Sequence, residues 1–236
     1  GAHPGPTIAL RFDMDALPIQ ELNKVEYGST IDGCMHACGH DGHVAIGLSV
    51  AKLLEAHKKE LHGTVRLVFQ PGEEGAGGAD AFIADGGMGE TLPEAIFGLH
   101  VWNEQPVGWL GIASGPVMAA SSTFTLEING KGGHGAIPHL SADPVLAMAN
   151  VISAAQSIIS RNLNPVHAGV LSFCSIHAGS AANVIPSNAV VTGTIRSYLP
   201  EVTDQIIERL TSLAEHVSLG LGSTAALHVQ KNTPPV

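Results

Sequence analysis

The strongest constraint on this chain is an order: short apolar runs that end in polar or glycine residues, separated by stretches with apolar residues at helical spacing. Residues 7–12 (TIALRF) run into the acidic DMDALP, residues 64–70 (TVRLVFQ) stop at Pro71-Gly72, and residues 95–102 (AIFGLHVW) form a third such run. Between the first two lies VAIGLSVAKLLEAHKKEL (44–61), long and amphipathic, with lysines gathered near its end. Between the second and third, ADAFIADGGM (79–88) reads as a short helix closed by glycines. Short apolar runs bounded by breakers are buried strands, and the longer periodic stretch is a helix that opens just after the His/Cys-rich segment. Strand and helix in alternation predict an α/β layer with a largely parallel sheet.

Such a sheet gathers its ligands outside the carboxyl ends of its strands. Asp13 and Asp15 follow the first predicted strand, Glu73 and Glu74 follow the second, and His100 sits near the end of the third. CMHACGHDGH (34–43) occupies the loop entering the first helix. The topology therefore brings acids, histidines and a cysteine to one edge.

After Gly115-Pro116 the pattern changes. STFTLEING (122–130) alternates as a strand does, and SADPVLAMANVISAAQSIISR (141–161) reads as a helix opened by a serine cap with a proline in its first turn. GVLSFCSIHAG (169–179) and NAVVTGTIRSY (188–198) read as strands, EVTDQIIERLTSLAEHVSLG (201–220) as a helix and TAALHVQ (224–230) as a last strand. The order β-α-β-β-α-β is the split βαβ, ferredoxin-like pattern. The expected division is a metal-binding part over residues 1–116 and a second domain over 117–236.

Composition narrows the partners. Charged residues make up 14%, the formal net charge is −10, and no Lys/Arg cluster offers a footprint for a phosphate backbone. No apolar run approaches the length of a membrane span. The three cysteines, Cys34, Cys38 and Cys174, cannot build a disulfide framework, so a reducing, cytoplasmic setting is expected. Cys34 and Cys174 are expected to be small buried hydrophobes.

The chemistry concentrates at Cys38 and His40, two residues apart on one loop. Thirteen histidines could place such a pair by chance. A thiolate with an imidazole, however, suits zinc or another borderline metal far better than calcium or magnesium. The following helix N-terminus is expected to help keep Cys38 ionised. Glu73 and Glu74, in QPGEEG, are either a solvated acidic turn or a pair that divides its labour. In the second case one carboxylate binds metal and its neighbour collects a proton from attacking water.

Six motifs decide between these readings. DMDALP, MHACGHDGH, VFQPGEEGAGGA, GLHVW, GGHGAIPH and NVIP occur here in the order found in the di-metal peptidase family that includes the aminoacylases, which the chain resembles from about residue 8 onwards. It looks most like the amidohydrolase branch: hippurate hydrolases, N-acyl-amino-acid amidohydrolases and plant auxin-conjugate hydrolases. The resemblance implies a partial zinc-peptidase-like α/β catalytic domain joined to a ferredoxin-like α+β lid and dimerisation domain. It also implies a site with two divalent metals, zinc or manganese with cobalt and nickel as further candidates, that cleaves the amide of a small N-acyl amino acid.

Carried over by motif, Cys38, His40, Glu74 and His100 are metal ligands, Cys38 is the bridge, Glu73 is the general base and Asp15 orients a ligand. His134 would stabilise the oxyanion, in its own or a partner chain, while Asn183 and Arg196 would hold the oxyanion or the substrate carboxylate. His36 and His43 match no family ligand and read as supporting or surface histidines. Relatives in the family are longer, and a returning segment brings a fifth ligand, a histidine. His216 and His228 do not fit that motif, so only one metal is expected to bind well where that ligand is missing. The alternatives are a dipeptidase- or carboxypeptidase-like hydrolase of the same family and a non-catalytic metal-binding, dimerising protein. The cysteine in MHACGHDGH argues against the dipeptidase branch, which usually bridges its metals with an aspartate.

Overall fold

The first apolar run forms a strand longer than its hydrophobic stretch, β1 (His3–Asp13), placed between two parallel neighbours, β2 (His62–Gln70) and β3 (Ala95–Gly98). Residues 1–75 and 77–236 are described by the computed structural model, which divides into two units, Gly1–Leu110 and Gly111–Val236. In the first unit the register pairs Asp13 with Gln70 and Arg11 with Gly98, so all three strands end together. Residues 14–15, 71–74 and 99–100 leave the sheet from this one edge. The third strand is shorter than its apolar run, and His100 lies two residues beyond its end.

The first helix, α1 (His40–Ala56), opens inside the His/Cys-rich segment rather than after it and stops before the lysines at 58 and 59. Gly39, with φ 82°, sits in the left-handed region that favours glycine and turns the chain from Cys38 into the helix. The buried stripe of α1 is His40, His43 and Gly47, a helical spacing that includes two polar residues. A short helix, α2 (Gly78–Ala84), precedes β3.

The second unit is a four-stranded antiparallel sheet built from β4 (Ala120–Asn129), β6 (Gly169–Ala178), β8 (Asn188–Ser197) and β9 (Thr224–Thr233), in the order β6-β8-β4-β9. With α3 (Pro144–Ser157) after β4 and α4 (Pro200–Gly220) after β8, this is the split βαβ arrangement. A two-residue ribbon, β5 (Gly133–His134) with β7 (Val184–Ile185), is added to it. Alternate residues of β4 and β8, among them Phe124, Leu126, Ile128, Val191 and Ile195, are buried together with Met148 and Val151 of α3 and Ile206 and Leu210 of α4.

The cap of α3 is Asp143, not the serine expected from the sequence: its carboxylate accepts from the N–H groups of Val145 and Leu146, with Pro144 in the first turn. Ser141 precedes it in extended backbone. Among the described residues no helix is long and apolar enough to cross a membrane.

Candidate metal centre

The edge where β1, β2 and β3 end carries the site. Cys38 Sγ and one ring nitrogen each of His40 and His100 lie within 4.8 Å of one another, as do donor atoms of His40, Glu73 and Glu74. Cys38 Sγ is 3.3 Å from His100 Nε2. His40 Nε2 is 3.9 Å from Glu74 Oε1 and 4.0 Å from Glu73 Oε2, so both carboxylates of the acidic pair face the same imidazole.

The hydrogen bonds of the two histidines settle which nitrogen is free. His40 Nδ1 lies 3.1 Å from both the carbonyl oxygen and the Oδ1 of Asp15. Those oxygens only accept, so Nδ1 carries the proton and Nε2 presents its lone pair. Asp15 also takes the N–H of Glu74 on Oδ2 at 2.9 Å, tying the helix histidine to the acidic loop. Burial works to raise the Asp15 carboxyl, but N–H groups of the loop and the His40 contact outweigh it and hold the group below its ordinary value. His100 Nδ1 donates to the carbonyl of Val101 at 2.7 Å, which leaves its Nε2 facing Cys38. A metal-binding imidazole typically donates its second nitrogen to a carboxylate or carbonyl in this way.

His40 Nε2 is buried and, among the described residues, has no hydrogen-bond partner. A buried polar atom without a partner is costly and rare. Here the missing partner fits a cation, because thiol, imidazole and carboxylate donors surround the atom and suit a borderline divalent metal.

Cys38 departs from expectation. Burial pushes its thiol up, the hydrogen bond and charge of Glu74 add to this, and the charges of Glu73 and Asp13 add further, to about 11. The nearby N-terminus of α1 does not keep Cys38 ionised; the carboxylates and desolvation outweigh it. The same negative groups attract a cation, which would then displace the thiol proton.

Two further residues lie at the site: Asp13, which the motifs left without a role, and His43, expected to be a supporting or surface histidine and here fully buried. Asp13 and His43 are 1% and 0% exposed, and with His40 they form a further group of potential ligands. The available signal was spacing, since His43 follows His40 by three residues on a helix and must share its face. His36 is exposed. Cys34 is only partly buried and Cys174 is exposed, against the expectation that both pack as buried hydrophobes.

The remaining candidates lie in the second unit. His134 pairs with Val184 across the β5–β7 ribbon, and the N–H of Gly135 donates to the carbonyl of Asn183, so His134 and Asn183 share one corner. Arg196 is on β8 instead, where its Nη1 bonds Thr194 Oγ1 and donates to the carbonyls of Ile195 and Ser122. It lines a cavity of about 560 Å³ on the open face of the sheet, with Cys174, Thr192 and His228.

Comparison with known proteins gives this geometry its context. The chain is 43% identical over 225 residues to the N-acetylcysteine deacetylase of Bacillus subtilis (strain 168), a match covering 95% of this chain and 59% of that protein. It is 43% identical over 236 residues to the Arabidopsis thaliana IAA-amino acid hydrolase ILR1-like 5, covering 100% of this chain and 54% of that protein. The chain thus spans little more than half the length of these relatives. Among solved structures, the Bacillus subtilis YxeP protein, a dinuclear metal-binding peptidase, is similar with a TM-score of 0.85 at 37% identity, covering 100% of this chain and 60% of that one. Residues 9–231 match the family model described as peptidase family M20/M25/M40, and the chain belongs to that family.

Proposed function

We infer that the chain carries the metal-binding part of an amidohydrolase that cleaves the amide bond of small N-acyl amino acids, the class that includes N-acetylcysteine and IAA–amino acid conjugates. The observation that carries this reading is the buried, unpartnered Nε2 of His40 among thiol, imidazole and carboxylate donors. Cys38, His40, Glu74 and His100 would hold the divalent metal, zinc or manganese with cobalt and nickel as further candidates, and one cation of the pair would bind well where the family's fifth ligand is missing. When bound, the cations supply Lewis acidity to the amide carbonyl and acidify water.

The residues of the chain do the rest. Asp15 holds the Nδ1–H of His40 and keeps its Nε2 turned to the cation. Glu73 is 42% exposed against 25% for Glu74, which leaves it the freer of the two to take a proton from attacking water and return it to the leaving nitrogen. Arg196 offers a fork that fits the free carboxylate of the substrate, and His134 and Asn183 offer donors for the oxyanion. Residues 1–116 form the catalytic part and 117–236 a lid through which two copies pair.

Metal content and turnover measured on one preparation test this reading. Bound zinc or manganese with hydrolysis of N-acetylcysteine, hippurate or an IAA–amino acid conjugate is expected. Glu73→Gln should keep its metal and lose at least about 100-fold in kcat, whereas Glu74→Gln should lose metal. The reverse pattern contradicts the two assignments. Cleavage of dipeptides with no action on N-acyl amino acids contradicts the substrate class, and a chain without metal contradicts the whole reading.

A further inference from the structure

Asp13 and His43 lie beside the ligands named above without belonging to them, and their hydrogen bonds form one connected chain. Arg11 Nε donates to Gln70 Oε1 at 2.8 Å and Arg11 Nη1 donates to Asp13 Oδ2 at 2.6 Å. The other carboxylate oxygen of Asp13 bonds His43 Nδ1. On the far side of the ring, the backbone N–H of Val101 donates to His43 Nε2 at 2.9 Å. Val101 is also the residue whose carbonyl takes the Nδ1–H of His100. The chain of contacts therefore runs from the ends of β2 and β1, through α1, to the loop that presents His100.

The direction of each bond fixes the state of His43. A nitrogen that accepts from an N–H cannot itself be protonated, and a carboxylate only accepts. His43 thus carries a proton on Nδ1 and presents the lone pair of Nε2 to the Val101 N–H. Its ring lies perpendicular to that of His100, with centroids 4.7 Å apart. Asp13 is fully buried and needs its two partners, because an unpaired buried carboxylate is costly.

We propose that His43 is a positioning residue for His100: held by Asp13 and Arg11, it offers Nε2 to the Val101 N–H and so fixes the backbone that turns His100 Nε2 towards Cys38. The proposal rests on the reading of Cys38, His40 and His100 as metal ligands. A histidine buried merely to fill space would need neither this tautomer nor this bond.

Two measurements on the chain test it. Long-range nitrogen–proton NMR correlations should show His43 as the neutral Nδ1–H tautomer; an Nε2–H tautomer or an imidazolium at neutral pH overturns the proposal. Zinc affinity is then measured by competition with a chelator. His43→Gln, which keeps an acceptor near the Nε2 position, should stay within about threefold of the native chain, whereas His43→Leu should weaken binding by about 10- to 100-fold.

If His43 acts through His100, then His43→Leu added to His100→Ala should cost little more than His100→Ala alone. Full additivity, or native affinity in His43→Leu, overturns the proposal. Should His43→Leu fail to fold, the tautomer and the His43→Gln affinity still decide. A native chain that binds no zinc sinks the metal reading and this proposal with it, while zinc binding with additive losses sinks this proposal alone.

Discussion

Cys38 begins from an unfavourable state for a metal ligand. Only the thiolate binds, yet burial and then Glu74, Glu73 and Asp13 push this thiol from 9.0 up to about 11. The carboxylates that hold the proton on sulfur are also the groups that would draw a cation in, and a bound cation would reverse the local balance. Loading the site at neutral pH should therefore release about one thiol proton per chain, and affinity should climb as pH rises towards about 11. For folding the sign is opposite. A raised thiol favours the folded chain fully below the ordinary value of 9.0, and that contribution is lost as pH rises through about 11. Calorimetric zinc titrations in two buffers of different ionisation enthalpy count the protons. A count of zero contradicts the assignment of Cys38 as a ligand.

At the level of elements, α1 decides the geometry, and it does so through glycine. A Cβ on Gly39 would come within 2.7 Å of Val101 Cγ2, in addition to requiring a left-handed φ. A Cβ on Gly47 would lie 2.9 Å from the rings of Phe12 and Phe69, so α1 rests directly on β1 and β2 only because no side chain intervenes. Gly47→Val should accordingly lower stability by about 1–3 kcal/mol and weaken metal binding, because His40 and His43 shift with the helix. Thermal unfolding and zinc affinity check this, and a variant unchanged in both contradicts the packing argument.

The order of strands and helices was legible because apolar periodicity is a local property. The start of α1 was not, since its first residues are polar and are buried by partners distant in sequence. Asp13 went unassigned, and His43 stood between a supporting and a surface place, for the same reason: their bonds join β1, α1 and the loop after β3. The cap of α3 was within reach, because a proline at the first helical position puts the cap one residue earlier, at Asp143. The ionisation of Cys38 was misread because the sequence shows the helix that follows but not the carboxylates that surround it.

Taken as a whole, the molecule joins a densely packed unit to a sparsely packed one. The core of the second unit runs through both helices and the inner face of the sheet, whereas the first buries few large apolar side chains, Phe12 and Val68 among them, and spends much of its interior on Asp13, His40, His43 and Gln70. Polar groups so placed stabilise a fold only when their bonds are complete. His40 Nε2 is the group that a cation would complete. The central claim is thus that Cys38 and His40 bind the same divalent ion. Titration of the chain with Co²⁺ tests it most directly, because a thiolate ligand produces a sulfur-to-cobalt charge-transfer band. The account predicts a saturable band that disappears in Cys38→Ser and is strongly weakened in His40→Ala. A chain with no such band, or a band that survives Cys38→Ser, contradicts it.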